Sequence, residues 1–183
     1  PSTIRAWGLA EDPTTGRVYL PTYFQTSYYI FSKVVTLLVY EGYQLRDNRG
    51  IGPKYITVRP KDSKGYSIIH CFRHSEDDLI KVVIVEDLVS AIAIAESIEE
   101  TLSIIVNYGT RLNTEALYES IEKGDEVIVW FDNDSPSIIK AAEDYGRTAM
   151  LFGAGSYRTA PKNLADPKYQ TPAVIKDVIS GQY

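Results

Sequence analysis

The pattern of hydrophobic and polar positions changes character near residue 80. Before that point, short stretches rich in β-branched and aromatic residues, such as VYLPTYF and SYYIF, alternate with turn sequences such as EDPTTGR and NRGIGPKY. Short stretches of this kind between Gly/Pro-rich turns are typical of strands. The first 75 residues therefore predict a β-rich unit, which holds eight of the 14 tyrosines between positions 19 and 66.

From Lys81 onward, continuous apolar runs alternate with segments of helical spacing. The apolar runs cover residues 82–85, 102–106, 126–131 and 148–153. Runs of this length are typical of strands that are covered on both faces. The helical spacing predicts helices over residues 88–100, 113–124, 135–146 and 171–181. Strands and helices that alternate in this way predict a parallel sheet with helices on both faces.

Residues that favour helix ends flank these predicted helices. The candidate N-cap residues are Asp87, Asn113, Ser135 and Thr171. Their side chains can accept a hydrogen bond from a backbone N–H group of the first helical turn. The candidate stops are Gly124, Gly146 and Gly181. The sequence therefore predicts the start of each helix from its own capping residue.

The length of 183 residues suits one large domain or two small ones. We expect two, a β-rich basic subdomain over residues 1–79 and an α/β domain over residues 80–183. No apolar run is long enough to span a membrane, and no signal peptide is visible. The chain begins with Pro1 and its only methionine is Met150. We therefore expect a processed or excised piece of a longer protein.

The number of cysteines limits which disulfides and zinc sites the chain can form. Cys71 is the only cysteine, which excludes an internal disulfide and a multi-cysteine zinc module within the chain. His70, Cys71 and His74 offer three candidate zinc ligands, but three ligands in a predicted strand rarely make a closed zinc site. A lone cysteine indicates a reducing setting, so we expect a cytoplasmic protein.

Charge is divided unevenly along the chain. The net charge is −5, yet residues 1–85 carry 11 Lys and Arg against 8 Asp and Glu, while residues 86–183 carry 8 against 16. Within residues 33–74 the balance is 8 against 3. A basic region next to an acidic one fits a polyanion channel beside a metal site. Chance variation over a solvated surface explains the same charge pattern equally well.

Acidic side chains stand at the ends of two predicted strands. Glu86 and Asp87 follow the first strand of the α/β domain, and Asp132 and Asp134 follow the third. Because sites in open parallel sheets form at the carboxyl ends of strands, we expect Glu86 and Asp132 to converge. Carboxylate oxygens suit Mg²⁺ or Mn²⁺. Asp87 fits an N-cap better, whereas capping does not explain the aspartate pair, because Ser135 already serves there.

The order of these acidic residues differs from two other folds that use paired carboxylates. Haloacid-dehalogenase-like phosphatases carry a DxD sequence after their first strand. Response-regulator receivers carry an acidic pair early and a single phosphorylated aspartate later. In this chain the glutamate comes first and the DxD sequence follows the third parallel strand.

The same motifs resemble another family. The run VVIVED, followed by YGT about 20 residues later and then by VIVWFDNDS and IKAA, resembles the Toprim domain of primases and topoisomerases. Upstream, Arg46 is followed seven residues later by PKY, which resembles the R…PKY element of bacterial and phage primases. YLP, EGYQLR and the later ADPKYQTPAVIKDVI are similar to the same proteins. The resemblance covers nearly the whole chain and is closest to phage primase cores of the primase–helicase group.

The resemblance implies a role for each matching residue. In the Toprim family the glutamate and the DxD pair bind Mg²⁺, so Glu86, Asp132 and Asp134 would be both the metal ligands and the catalytic residues, with Mg²⁺ or Mn²⁺ as cofactor. Asp166 is a further candidate metal ligand. The implied nucleotide- and nucleic-acid-binding residues are Arg46, Lys54 and Tyr55.

The implied function is a DNA primase core, a nucleotidyltransferase that copies single-stranded DNA into short RNA primers from NTPs. A replicative helicase and a zinc-binding domain outside this chain are candidate partners, and no membrane partner is expected. Two alternatives stay open, a Toprim-type metal-dependent nuclease and a non-catalytic Toprim-like module that binds nucleic acid. Ser90 supports the last of these, because many family members carry an aspartate four residues after the glutamate.

Overall fold

The computed structural model describes residues 7–30, 33–47, 49–53, 55–58, 60–61, 64–71 and 81–183, with the backbone alone over residues 22–30 and 33–41. The chain divides into two units, Pro1–Gly65 and Tyr66–Tyr183. Each unit contains one sheet, and the two sheets have different connectivity. Within the described residues, no helix has both the length and the apolar character needed to cross a membrane.

The first unit is an antiparallel sheet of four strands in the order β1-β2-β3-β4. The strands are β1 Ala10–Glu11, β2 Arg17–Ile30, β3 Lys33–Asp47 and β4 Tyr55–Val58. The β-rich prediction is confirmed, but stretches that read as separate short strands join into two long ones. The register of β2 and β3 shifts between Thr22 and Tyr23. This irregularity directly follows Pro21, which has no N–H group to donate to the ladder.

The second unit is a mixed sheet of five strands in the order β5-β7-β6-β8-β9. The strands are β5 Ser67–Cys71, β6 Lys81–Val85, β7 Leu102–Val106, β8 Glu126–Trp130 and β9 Ser156–Thr159. Strands β6 to β9 pair in parallel, and β5 pairs antiparallel with β7 at the edge. The predicted boundary at residue 79 assigns β5 to the amino-terminal subdomain, whereas its pairing with β7 places it in the sheet of the second unit.

The central strands are buried because both faces of the sheet are covered by helices. All five residues of β7 are buried, as are four of the five residues in both β6 and β8. The four helices are α1 Leu88–Ser97, α2 Thr114–Ser120, α3 Pro136–Leu151 and α4 Pro172–Ser180. A short 3₁₀ helix covers Pro167–Tyr169. The predicted α/β class, with flanking helices and a preceding β-rich unit, is confirmed.

The four predicted N-caps are confirmed by their hydrogen bonds. The Asp87 and Asn113 side chains accept from backbone N–H groups three residues later, at 2.9 and 3.2 Å. The Ser135 and Thr171 hydroxyls do the same at 3.4 Å each. At the other end of α4, Gly181 adopts the left-handed conformation with φ 77°, as a helix-stopping glycine does.

The prediction that helix α3 ends at Gly146 and is followed by a strand over residues 148–153 is wrong. The helix continues to Leu151, and the next strand is β9. A Cβ atom placed on Gly146 would lie 2.0 Å from the Tyr157 ring of β9. The glycine therefore serves a close approach between helix and strand, which only the folded structure reveals.

Replacing Gly146 with alanine should destabilise the second unit, because the added methyl group overlaps the Tyr157 ring. Overpacking of this kind costs roughly 1–3 kcal/mol, which outweighs the gain in helix propensity of about 1 kcal/mol. Thermal unfolding should show a melting temperature several degrees lower. Lys140→Ala, at an exposed position of the same helix, should leave it unchanged. A melting temperature equal to or above that of the wild type for Gly146→Ala would contradict the packing argument.

Candidate active site

The carboxyl ends of strands β6 and β8 bring Glu86 and Asp132 together. The strands pair in parallel with Val85 aligned to Trp130, so the residues that follow them emerge at the same edge of the sheet. The backbone N–H of Asp132 donates to the Glu86 carboxyl. Asp134 is exposed and directly precedes the N-cap Ser135. The structure therefore places all three predicted metal-binding residues at one sheet edge, with Glu86 and Asp132 in direct contact.

Glu86 occupies an environment that disfavours its negative charge. The residue is half-buried, and its Oε1 atom is buried without a hydrogen-bond partner. Burial raises the pKa of Glu86 to about 7, and the negative charge of Asp166 adds to the shift. An unpartnered buried carboxylate oxygen would gain a favourable interaction from a bound cation.

A second group of charges lies close to Glu86. Lys168 donates from its ammonium to one oxygen of Asp87 and one oxygen of Asp166. The side chains of all three residues are buried. Burial by itself would lower the pKa of Lys168, but Asp87 and Asp166 outweigh it, so the pKa lies above its ordinary value. For Asp166, burial dominates and raises the pKa despite the bond from Lys168.

The loop that carries Asp166 is attached to the end of β8. The Trp130 indole N–H donates to the carbonyl of Ala165 at 3.1 Å. The Asn133 amide donates to the carbonyls of Pro161 and Leu164 at 3.2 and 3.4 Å. We did not single out these two positioning residues from the sequence, although Asn133 stands between the two aspartates of the DxD pair.

The turn after β7 lies at the same edge of the sheet and contacts Glu86. The Asn107 amide donates to the carbonyls of Gly109 and Arg111 at 2.7 and 2.8 Å. The backbone N–H of Gly109 donates to the carbonyl of Glu86 at 3.1 Å. Tyr108 has φ 52°, a left-handed conformation that is uncommon for a residue with a side chain. The bonds from Asn107 therefore fix the conformation of the turn, and the bond from Gly109 fixes the backbone of Glu86.

The donor set fits one hydrated divalent cation better than a closed protein cage. Among the described residues, no group of three or more His, Cys, Asp or Glu side chains is arranged to hold a metal ion. Mg²⁺ commonly keeps several waters and binds through one or two carboxylates. Glu86, whose Oε1 atom is unpartnered, and Asp132, whose backbone contacts the Glu86 carboxyl, are the described residues that could hold such an ion.

His70 and Cys71 lie in β5 and do not resemble zinc ligands. A nitrogen of the His70 ring and the Ser103 hydroxyl are 2.7 Å apart, so that ring position is already engaged. Burial raises the pKa of the Cys71 thiol to about 11, which disfavours the thiolate that binds metals. His74 lies outside the described residues.

The predicted nucleic-acid-binding residues fall in the first unit. Arg46 and Tyr55 are directly opposite each other on β3 and β4. The Arg46 guanidinium carbon lies 5.7 Å from the centroid of the Tyr55 ring, within the range of a cation–π contact. Lys54 lies outside the described residues.

The loop between β3 and β4 is organised by Asp47. Its carboxylate accepts hydrogen bonds from the backbone N–H groups of Arg49, Ile51 and Gly52 at 2.9, 3.0 and 2.8 Å. These bonds, led by the one from Arg49, lower the pKa of Asp47. Arg17 donates to the carbonyl of Pro53 at 3.3 Å from the neighbouring strand. Asp47 thus fixes the path of the chain between Arg46 and the PKY sequence.

Comparison with solved structures finds the same fold in primases. A DNA primase domain from Pseudomonas aeruginosa matches with a TM-score of 0.55 and 18% identity, over 99% of this chain and 58% of that chain. The DnaG primase catalytic domain bound to single-stranded DNA matches with a TM-score of 0.59 and 17% identity, over 97% and 59%. The zinc-binding and RNA polymerase domains of Aquifex aeolicus primase match with a TM-score of 0.60 and 16% identity, over 94% and 43%.

The likeness confirms the resemblance at the level of the fold. The chain has the fold of DnaG-type primase catalytic domains over nearly its whole length, and it spans about half the length of the chains that it matches. No protein-family model and no curated protein sequence matches it.

Replacing Glu86 with glutamine should stabilise the protein at high pH in the absence of divalent cations. Because the pKa of Glu86 rises from 4.5 to about 7 on folding, the folded state loses stability as the pH increases through that window. Glutamine is uncharged, so Glu86→Gln removes the destabilisation that comes from ionising Glu86. In EDTA, Glu86→Gln should therefore melt several degrees above the wild type at pH 8, and most of the difference should disappear by pH 5.

The exposed Glu122 provides the matched control for this measurement. Glu122→Gln should melt like the wild type at both pH values. Equal melting temperatures for the wild type and Glu86→Gln at pH 8 would contradict a raised pKa for Glu86.

Replacing Asp47 with alanine should loosen the loop over residues 49–53, because three backbone N–H groups lose their acceptor. Amide hydrogen exchange of Arg49, Ile51 and Gly52 should become about tenfold faster or more. Lys61→Ala, at an exposed position of the same unit, should leave these three amides unaffected. Unchanged exchange in Asp47→Ala would show that the loop keeps its shape by other means.

Proposed function

We propose that this chain is the catalytic core of a DNA primase. In this proposal it copies single-stranded DNA into short RNA primers from NTPs by metal-dependent nucleotidyl transfer. The observation that carries the proposal is the contact between the Glu86 carboxyl and the Asp132 backbone at the edge of a sheet whose fold is that of primase catalytic domains. One of the matched structures is described as bound to single-stranded DNA, which supports the same class of template here.

Glu86, Asp132 and Asp134 are the residues proposed to hold the divalent cation, with Asp166 as a further candidate. When bound, Mg²⁺ or Mn²⁺ would offset negative charge on the triphosphate and help to orient the reacting groups. The chain itself would contribute a half-buried Glu86 whose orientation is fixed by the Asp132 amide. The turn at Gly109 would hold the Glu86 backbone in place. These contacts would keep the ligands preorganised before nucleotide binding.

Arg46, Lys54 and Tyr55 are the residues proposed to contact the nucleotide phosphates and the nascent strand. A guanidinium pairs well with phosphate oxygens, and the ring of Tyr55 beneath it limits the positions that Arg46 can adopt. The excess of Lys and Arg over residues 33–74 would supply sequence-independent attraction for the template backbone. A replicative helicase and a zinc-binding domain on other chains or segments remain proposed partners.

A second candidate function is a non-catalytic module that binds nucleic acid. It is favoured by the engagement of Asp166 with Lys168 and by the absence, among the described residues, of a cluster of three metal-binding side chains. Ser90, which is buried in α1 where many family members carry an aspartate, supports the same candidate. The two functions differ in whether the aspartate pair is needed.

A primer-synthesis assay separates these functions. The chain is incubated with labelled NTPs, single-stranded DNA of mixed sequence and Mg²⁺ or Mn²⁺, alongside Asp132→Ala/Asp134→Ala and the matched control Asp177→Ala at an exposed site of α4. We expect short labelled products from the wild type and from Asp177→Ala, and a loss of at least about 100-fold in the double variant, since metal ligands contribute several kcal/mol to catalysis.

Three outcomes would contradict the proposal. Template degradation without NTP incorporation would indicate the nuclease. An intact template without labelled products, together with DNA binding that survives in the double variant, would indicate the non-catalytic module. Equal product from the wild type and the double variant would show that the aspartate pair is not the catalytic centre.

A further inference from the structure

Lys168 holds an unusual position for a lysine. Its side chain is only 5% exposed, and its ammonium lies between the carboxylates of Asp87 and Asp166. The 3₁₀ helix that carries it packs against α1, whose N-cap is Asp87. Asp87 is thus engaged on both oxygens, by the Ser90 amide and by Lys168.

The charges at this edge of the sheet explain why a buried cation is needed. Asp87 and Asp166 are both buried, and both accept a hydrogen bond from the same ammonium, so their carboxylates lie close together. Buried carboxylates remain ionised at low cost only when a cation is placed beside them. Lys168 supplies one positive charge to the group from inside the chain.

An ammonium and a metal ion cannot occupy the same space between two carboxylates. A divalent cation that bridged Asp87 and Asp166 would need the oxygens to which Lys168 now donates. It would also be repelled by the ammonium at close range in a poorly solvated site. Glu86, by contrast, keeps one buried oxygen without a hydrogen-bond partner.

We propose that Lys168 is a built-in cation that closes the Asp87–Asp166 position to metal, so that Asp166 is not a metal ligand and a single divalent-cation position remains at Glu86 and the aspartate pair Asp132 and Asp134. The second half of this statement rests on the proposed function, whereas the first half concerns only Lys168 and its two carboxylates. Lys168 is a positioning residue in this scheme, because it acts by fixing charge and not by touching the reacting atoms.

Counting bound Mn²⁺ tests the proposal directly. Lys168→Met removes the ammonium and keeps the length of the side chain, whereas Lys168→Arg keeps the charge. Titration followed by the electron paramagnetic resonance signal of free Mn²⁺ should give one more bound ion per chain in Lys168→Met than in the wild type. Lys168→Arg should match the wild type. Lys81→Met, which removes a partly exposed lysine paired with Glu100 at 2.9 Å, should also match it.

Thermal stability provides a second readout that does not depend on activity. In EDTA, Lys168→Met leaves two buried carboxylates without their cation, so its melting temperature should fall by several degrees. Added Mn²⁺ should recover most of that loss, and the recovery should exceed any effect of Mn²⁺ on Lys81→Met. If Lys168→Met does not fold in EDTA, the variant Asp87→Asn/Asp166→Asn/Lys168→Met removes all three charges and should fold without gaining a Mn²⁺ site.

The test compares the number of bound Mn²⁺ ions in Lys168→Met with the number in the wild type. The role of Lys168 can therefore fail separately from the proposed function. The same number of bound Mn²⁺ ions in both proteins, or a Lys168→Met variant that Mn²⁺ does not stabilise, would overturn it. A wild type that binds no Mn²⁺ while Lys168→Met binds one would keep Lys168 as the built-in cation and would overturn the metal-dependent primase function.

Discussion

The parallel pairing of β6 with β7 and β8 determines where the acidic groups of the candidate site lie. The central strands are buried along almost their whole length, and these carboxylates stand in the loops that follow the strands. Because the pairing aligns Val85 with Val106 and Trp130, those loops begin at a common edge. The strand register therefore brings Glu86 to the Asp132 backbone, and the turn at Gly109 holds it there.

Local sequence signals were sufficient for the elements that depend on neighbouring residues. The N-caps at Asp87, Asn113, Ser135 and Thr171 form within three residues of chain, and all four are present. The acidic edge could be predicted in the same way, because apolar runs followed by carboxylates show where the strands end. The roles assigned to individual acidic residues stay predictions.

Features that depend on distant contacts could not be predicted from the sequence. Gly146 looks like a helix stop until Tyr157 is seen against it, 11 positions along the chain. The loop that carries Asp166 is positioned by Trp130 through a bond between residues 35 positions apart. Strand β5 joins its sheet by antiparallel pairing with β7, across a long separation in sequence. In each case the sequence does not show which distant residue or strand is the partner.

The bond from Lys168 to Asp87 joins residues that are 81 positions apart, and this separation has a consequence for how the protein folds. Contacts between distant residues form slowly, because a long loop must close before they yield any stabilisation. The acidic loop after β6 therefore remains uncompensated until the carboxy-terminal segment docks on α1. During synthesis on the ribosome, the strands can pair first, and the charged edge reaches its final state only after the segment around Lys168 has emerged.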